Sequence, residues 1–391
     1  MMIRRIDTIE EFGKLKNTWE DVLEASSANC FFLTWEWLYT WWKHLGGGRE
    51  LYILTIESDG RLIGIAPLAM RPRRVSGFPA RSLEFLGSGI AGSDYLDLIL
   101  RRGKEAEAIG SLAEYLANRK LQLVLGQLRE SAAAWRLAWT LEDRDGYRAF
   151  QMETDRCPYI DLTGQTWQTY LAALGASHRA NFGRRLKQVA KAFDFRFERV
   201  KSERQRREAL AVLIDLHHKR WRERGMSEAF SSAEMTAFHD DVSRVALEQN
   251  WLRLYVLRLN DRPAAALYGF CRGGRFYFFQ SGLDPEHSRY SVGLITMGLA
   301  IKDALAEGAE EYDLLHGGES YKFLWTQRER GIHKLELYPP GVAGLVHGKI
   351  SHAGRVARKI GWTILPKAMA DRIATARRMA QLKGHYAAQS R

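Results

Sequence analysis

Between Asp313 and Lys322 the chain reads Asp-Leu-Leu-His-Gly-Gly-Glu-Ser-Tyr-Lys, a run dense in side chains that move protons or stabilise charge. An unperturbed imidazole titrates at about 6.5, so His316 is a natural general base. Glu319 needs burial to raise its pKa into the same role. Tyr321 can donate a proton, Lys322 can stabilise a developing negative charge, and Asp313 can orient or cap a turn. A second stretch, Asp-Pro-Glu-His-Ser-Arg-Tyr-Ser-Val-Gly over 284–293, joins an apolar strand-like run to an apolar helical one. Such a junction aims unpaired backbone N–H groups and the positive end of the helix dipole at one point, where a pyrophosphate fits. Ser291 and Gly293 leave that backbone approachable.

The elements that position these groups follow from periodicity. Leu51 to Met70 contains two β-favouring runs joined at Asp59-Gly60, and Trp251 to Cys271 repeats the device at Asn260-Asp261. After the first hairpin we expect a strand at 93–100, a helix at 105–118 and a strand at 121–126. After the second we expect a strand at 275–283, a helix at 292–307 closed by Gly308, and a strand at 311–315. The pattern occurs twice, which predicts two copies of one α/β unit: residues 1–160 and 161–340, linked through a strand-like run at 151–162. A basic helix at 177–193 carries Phe182, Leu186, Val189 and Phe193 on one face and Arg184, Lys187 and Lys191 on another. Thr34 is placed to cap a helix bearing Trp35, Trp37, Trp41 and Trp42, which either pack in a core or line a glycan groove.

The formal net charge of +12 is unevenly spread. Residues 341–391 hold 10 Lys/Arg and 1 Asp, or +9, leaving 48 basic and 45 acidic residues, or +3, for the first 340. The final segment therefore reads as a basic amphipathic tail suited to an anionic membrane surface or an acidic partner. Cys30, Cys157 and Cys271 are odd in number and lack metal-ligand spacing, so we expect buried thiols, no disulfide framework and no metal. With neither a signal-peptide pattern nor a spanning apolar run, the chain is expected in the cytoplasm, peripheral at the inner membrane face through its tail.

Pro285-Glu286-His287-Ser288-Arg289-Tyr290-Ser291-Val292-Gly293 is in register with the donor-binding loop of the GNAT acyltransferase superfamily, Pro-acid-x-[Arg/Gln]-x-x-Gly-x-[Gly/Ala], with serine at the first two signature positions. Those departures resemble a branch with paired GNAT folds, the CelD-like acetyltransferases of cellulose and exopolysaccharide synthesis, related to FemAB aminoacyl transferases. Phe32 to Leu38 with Trp41-Trp42, Ser177 to Asn181, and Tyr312 to Lys322 are similar to the same branch. The resemblance covers about residues 5–340. It implies a mixed α/β fold of two tandem GNAT-like units, of which only the second binds acetyl-CoA or another acyl-CoA. Donor binding falls to Leu283, Ser288, Arg289, Tyr290, Ser291, Val292 and Gly293, and Lys322 matches the lysine that stabilises the oxyanion in FemAB-like proteins.

The implied activity is direct acyl transfer, most simply of acetyl, to an amine or hydroxyl of a small-molecule or glycan acceptor such as an exopolysaccharide or envelope precursor. His316 or Glu319 would serve as base, Tyr321 would protonate the thiolate and Asp313 would support them. There is no GxSxG elbow for a covalent acyl-enzyme. Two alternatives stand: a FemAB-like transferase using aminoacyl-tRNA, and a non-catalytic scaffold of a polysaccharide-synthesis complex. Aromatic residues are not interleaved with the basic block at 178–207, which argues against nucleic acid as a partner.

Overall fold

The computed structural model describes residues 1–75, 78–222 and 229–341; the basic tail lies outside the described residues. Both hairpins form where expected. Asp59 and Gly60, and again Asn260 and Asp261, all take positive φ, the left-handed pair that a two-residue turn needs to match strand twist. The helices Glu105–Asn118, Ala176–Ala192 and Val292–Ala306 fall within a residue of expectation. Ile109, Leu112 and Leu116 bury one face of the first, and Phe182 and Val189 one face of the second. Thr34 caps the helix Trp35–Leu45, accepting from the Trp37 amide. Trp37 and Trp41 are buried, and the Trp37 indole N–H donates to Ser93 Oγ at 2.8 Å, so these rings pack inside the fold.

An eleven-stranded mixed sheet runs through both halves in the spatial order 195–199, 252–259, 262–272, 275–283, 311–313, 148–161, 329–338, 123–128, 78–85, 68–75 and 50–51. A smaller sheet of four strands joins 2–6, 53–58, 61–66 and 99–100. The run expected to link the halves is in fact one long strand, Arg148–Asp161, near the middle of the large sheet. Its far end, residues 159–161, pairs with Glu311–Asp313 of the second half, and residues 148–158 pair with Glu329–Tyr338. The latter strand crosses back to pair with Leu123–Leu128 of the first half.

The strand expected at 93–100 shrinks to Ile99–Leu100. The reason lies upstream: Gly87, Gly89, Gly92 and Tyr95 all have positive φ, which no strand accommodates. A glycine-rich loop takes its place and carries Asp94 and Tyr95 to the face of the second half, where both are buried. Cys30 and Cys157 are buried free thiols and Cys271 is partly buried. Among the described residues no group of three or more His, Cys, Asp or Glu gathers as a metal site, and no helix is long and apolar enough to cross a membrane.

Candidate active site

The site begins where two parallel strands separate. Arg275–Leu283 pairs with Glu311–Asp313 only at Arg275/Glu311, Phe276/Tyr312 and Tyr277/Asp313. The first strand then runs on for six residues while the second turns away. Asp313 ends the shared ladder with its carboxylate fully buried, accepting from the Tyr95 hydroxyl at 2.7 Å and from the Leu315 amide at 2.8 Å. Burial pushes this acid up to about 6, against the lowering effect of the Arg330 guanidinium 3.7 Å away. Leu315 follows at φ 55°, a left-handed conformation that a bulky side chain adopts only under restraint.

Lys322 supplies that restraint. Its side chain is 4 % exposed, and Nζ donates to the Leu315 carbonyl at 3.2 Å and the His316 carbonyl at 2.7 Å while pairing with the Glu319 carboxylate at 3.0 Å. All three ammonium donors are thus directed at the loop 315–319. Gly317, at φ 117°, lies against this knot: a Cβ there would collide with the Glu319 carboxylate and stand 3.0 Å from Nζ. Beyond the loop the chain makes a single tight turn, Lys322–Leu324.

His316 sits on the loop that Lys322 holds, its side chain 39 % exposed. Nδ1 lies 2.9 Å from both oxygens of Asp94, and the His316 backbone N–H donates to the same carboxylate at 3.0 Å. The charge of Asp94 raises the imidazole to about 9, outweighing its partial burial. His316 is consequently an imidazolium at neutral pH and gives up a proton before it takes one. Nε2 has no hydrogen-bond partner among the described residues. Sequence reading missed Asp94, because nothing in the first half's sequence marks one acid of a loop as the partner of a histidine more than 200 residues away. The available signal was the glycine-rich run Gly-Ser-Gly-Ile-Ala-Gly-Ser-Asp-Tyr over 87–95, which leads into the strand expected at 93–100 and favours a loop there.

Glu319 is more than half exposed. Burial, with Glu319 adding to it, holds the Tyr321 phenol above its ordinary range, so Tyr321 keeps its proton and can donate it. Across the gap between the strands, the helix Glu203–Arg222 brings Arg220 to Ser281 Oγ at 3.3 Å.

The second expected group lies at the far end of the longer strand. Pro285–Tyr290 forms a tight helical turn begun by Asp284, which accepts from the Glu286 amide. Ser291 is left-handed at φ 56°, and the helix Val292–Ala306 follows with no acid in its first turn. The first amide of this helix to close an intrahelical bond back to Ser291 is that of Ile295, so those of Val292, Gly293 and Leu294 have no such partner. Ser288 and Arg289 are exposed. Tyr290 packs edge-on against Phe193, and Arg185 of the basic helix donates to the Arg289 carbonyl at 2.6 Å. A Cβ on Gly293 would stand 3.2 Å from the Leu283 side chain, so even alanine is tight there. The structure therefore does not bring this turn into contact with 313–322. Six residues of strand, about 20 Å, separate their levels along the sheet.

Residues 176–323 match the family model of an acetyltransferase (GNAT) domain. The second half carries an acyltransferase domain of the GNAT type. Solved structures extend the likeness to the whole fold. FemX aligns at 11 % identity over 85 % of this chain and 97 % of its own, with a TM-score of 0.59. L-PGS from Bacillus licheniformis aligns at 13 % identity over 86 % and 96 %, with a TM-score of 0.51. The C-terminal domain of a putative lysylphosphatidylglycerol synthetase from Agrobacterium fabrum aligns at 12 % over 86 % and 94 %, also at 0.51. No curated protein sequence matches the chain. The chain thus shares a mixed α/β fold with these structures over both halves, and the GNAT-type domain lies in the second.

Proposed function

We propose that the chain transfers an acyl group, most simply acetyl, from acyl-CoA to an amine or hydroxyl of an exopolysaccharide or envelope precursor, as in the CelD-like branch. The observation that carries this reading is the divergence of the strands 275–283 and 311–313, with a half-exposed histidine beside the gap and an open helix start at the top of the longer strand. A donor whose pyrophosphate rests on the amides of Val292, Gly293 and Leu294 would extend its thioester arm down the exposed edge of 278–283 towards His316. The amine attacks as the neutral base and the acyl C–S bond breaks. His316 Nε2–H then protonates the departing thiolate and recovers a proton from the acceptor nitrogen, leaving the site unchanged. Tyr321 is a second donor for the thiolate. Lys322 acts chiefly by fixing the loop that presents His316, since its three donors are engaged there.

The fold shared with FemX and the lysylphosphatidylglycerol synthetase domain favours one second reading, an aminoacyl donor in place of acyl-CoA. Calorimetry with acetyl-CoA, followed by a structure of the complex, decides between them. Density for the pyrophosphate at Ser288–Gly293 supports the first reading; absence of binding at millimolar acetyl-CoA rejects it. The basic tail, read as a membrane or complex anchor, is tested separately by liposome sedimentation of the full chain at low and high salt.

A further inference from the structure

Asp94 is fully buried, yet among the described residues its only ion pair is with His316. The Cys157 thiol, which burial keeps protonated, lies 3.9 Å from Oδ2. A buried carboxylate without a countercharge is costly, so the folded chain holds His316 with Nδ1 as the donor to Asp94. The contact from the His316 backbone N–H to the same carboxylate fixes the ring's base as well as its tip. With Nδ1 turned inward, Nε2 is left on the exposed side of the ring. The other charged groups acting on the imidazole are Asp155 on the long central strand and Lys322, itself paired with Glu319. Lys322 opposes the imidazolium charge and Asp155 favours it, while neither is hydrogen-bonded to the ring.

Resting on the acyl-transfer reading above, we propose that Asp94, contributed by the first half, is a positioning residue for the reaction: it fixes Nδ1 of His316 as a donor and so commits Nε2 to exchange the proton with substrate. The working site is then assembled from both halves, and the first half is part of the chemistry. The arrangement follows a general rule for imidazoles that do proton transfer, in which a carboxylate on one nitrogen sets the tautomer and raises the basicity of the other.

Three forms of the full chain test this: wild type, Asp94→Asn and Asp94→Glu. Nitrogen-15 spectra of the imidazoles report the tautomer and titration of His316 without reference to any donor. We expect Asp94→Asn, which keeps shape and removes charge, to lower the His316 ionisation by at least one pH unit and to mix its neutral tautomers. Asp94→Glu should restore part of both. Turnover should fall about 10- to 100-fold in Asp94→Asn, as for other residues that orient a functional side chain. The KM for the donor should change less than threefold, and the alkaline limb of the rate profile should shift with the spectroscopic titration. An Asp94→Asn protein whose His316 titration and turnover both match wild type overturns the proposal. So does one that merely melts at lower temperature while the titration stays in place. A wild type inactive with acyl-CoA but showing the Asp94-dependent titration would sink the acyl-CoA reading alone, since the tautomer assignment has its own readout.

Discussion

The two helices that follow the two hairpins differ most where they begin. In the first half Glu105 and Glu107 occupy the opening turn of Glu105–Asn118, and Glu107 bonds both Ser58 and Lys104. These partners hold its carboxyl below the ordinary range. The positive end of that helix is already answered by the protein's own anions. In the second half Val292–Ala306 opens without an acid, behind a left-handed serine, and its first three amides have no intrahelical partner. One half meets its helix start with acids while the other leaves it without them. The first half nonetheless reaches the candidate site, through the loop that delivers Asp94 to His316.

The sharpest way to break this comparison is to place a glutamate second in each helix. Gly293→Glu should abolish acyl-CoA binding, a loss of more than 100-fold by calorimetry, because it adds bulk against Leu283 and a charge at the phosphate position. Ala106→Glu, at the equivalent and exposed place in the first half, should leave affinity within about twofold. Equal effects, or none, would show that the donor is not held on the second helix.

Lys322→Met comes next. It leaves two carbonyls and a carboxylate without their donor and releases the strained Leu315, so we expect a loss of about 3 kcal/mol in denaturant unfolding and at least a 100-fold fall in turnover. Turnover near wild type in a folded variant would remove the loop from the mechanism. His316→Gln tests the junction of the halves by pH. The folded imidazole titrates at about 9 against an ordinary 6.5, so the pair's contribution to stability is full below 6.5 and is lost as pH rises through 9. The melting temperature of the wild type should therefore decline over that window, and this decline should vanish in His316→Gln or Asp94→Asn.

The smallest effect concerns a second contact between the halves, where Asp241 meets Lys43 at 2.6 Å and His44 at 2.8 Å. Burial raises the Asp241 carboxyl, but these two hydrogen bonds prevail and hold it down to about 2. Its contribution is complete above pH 4 and disappears as pH falls towards 2, and with Lys43 half exposed we expect about 1 kcal/mol. Asp241→Asn should flatten the acid limb of the stability curve by that amount; an unchanged limb would assign it to other carboxylates.

What could be read from sequence was local. Asp59-Gly60 and Asn260-Asp261 announce their turns by residue type, and Leu112 or Val189 announces a buried face by spacing. The crowding of His316, Glu319, Tyr321 and Lys322 is equally visible because they share ten residues of chain. What each does there was not visible. Lys322 reads as an electrostatic catalyst until its three acceptors are seen, and His316 reads as a base until Asp94 is seen to charge it. Both revisions come from contacts that no periodicity encodes. The same holds for the central strand, where Cys157-Pro158 has the look of a linker although Pro158 sits in the ladder opposite Glu329.

That strand also decides how the molecule must be made. Arg148–Asp161 is shared between the halves, and its neighbour Glu329–Tyr338 cannot pair with Leu123–Leu128 until some 200 residues of intervening chain exist. Contacts of such sequence separation make folding slow, because the entropy of closing the loop is lost before any pairing is gained. During synthesis the first half waits with an open sheet edge for a strand translated some 200 residues later, and a fragment cut at the apparent boundary would keep that edge, inviting association with other chains. The protein has the outline of two modules and the biogenesis of one.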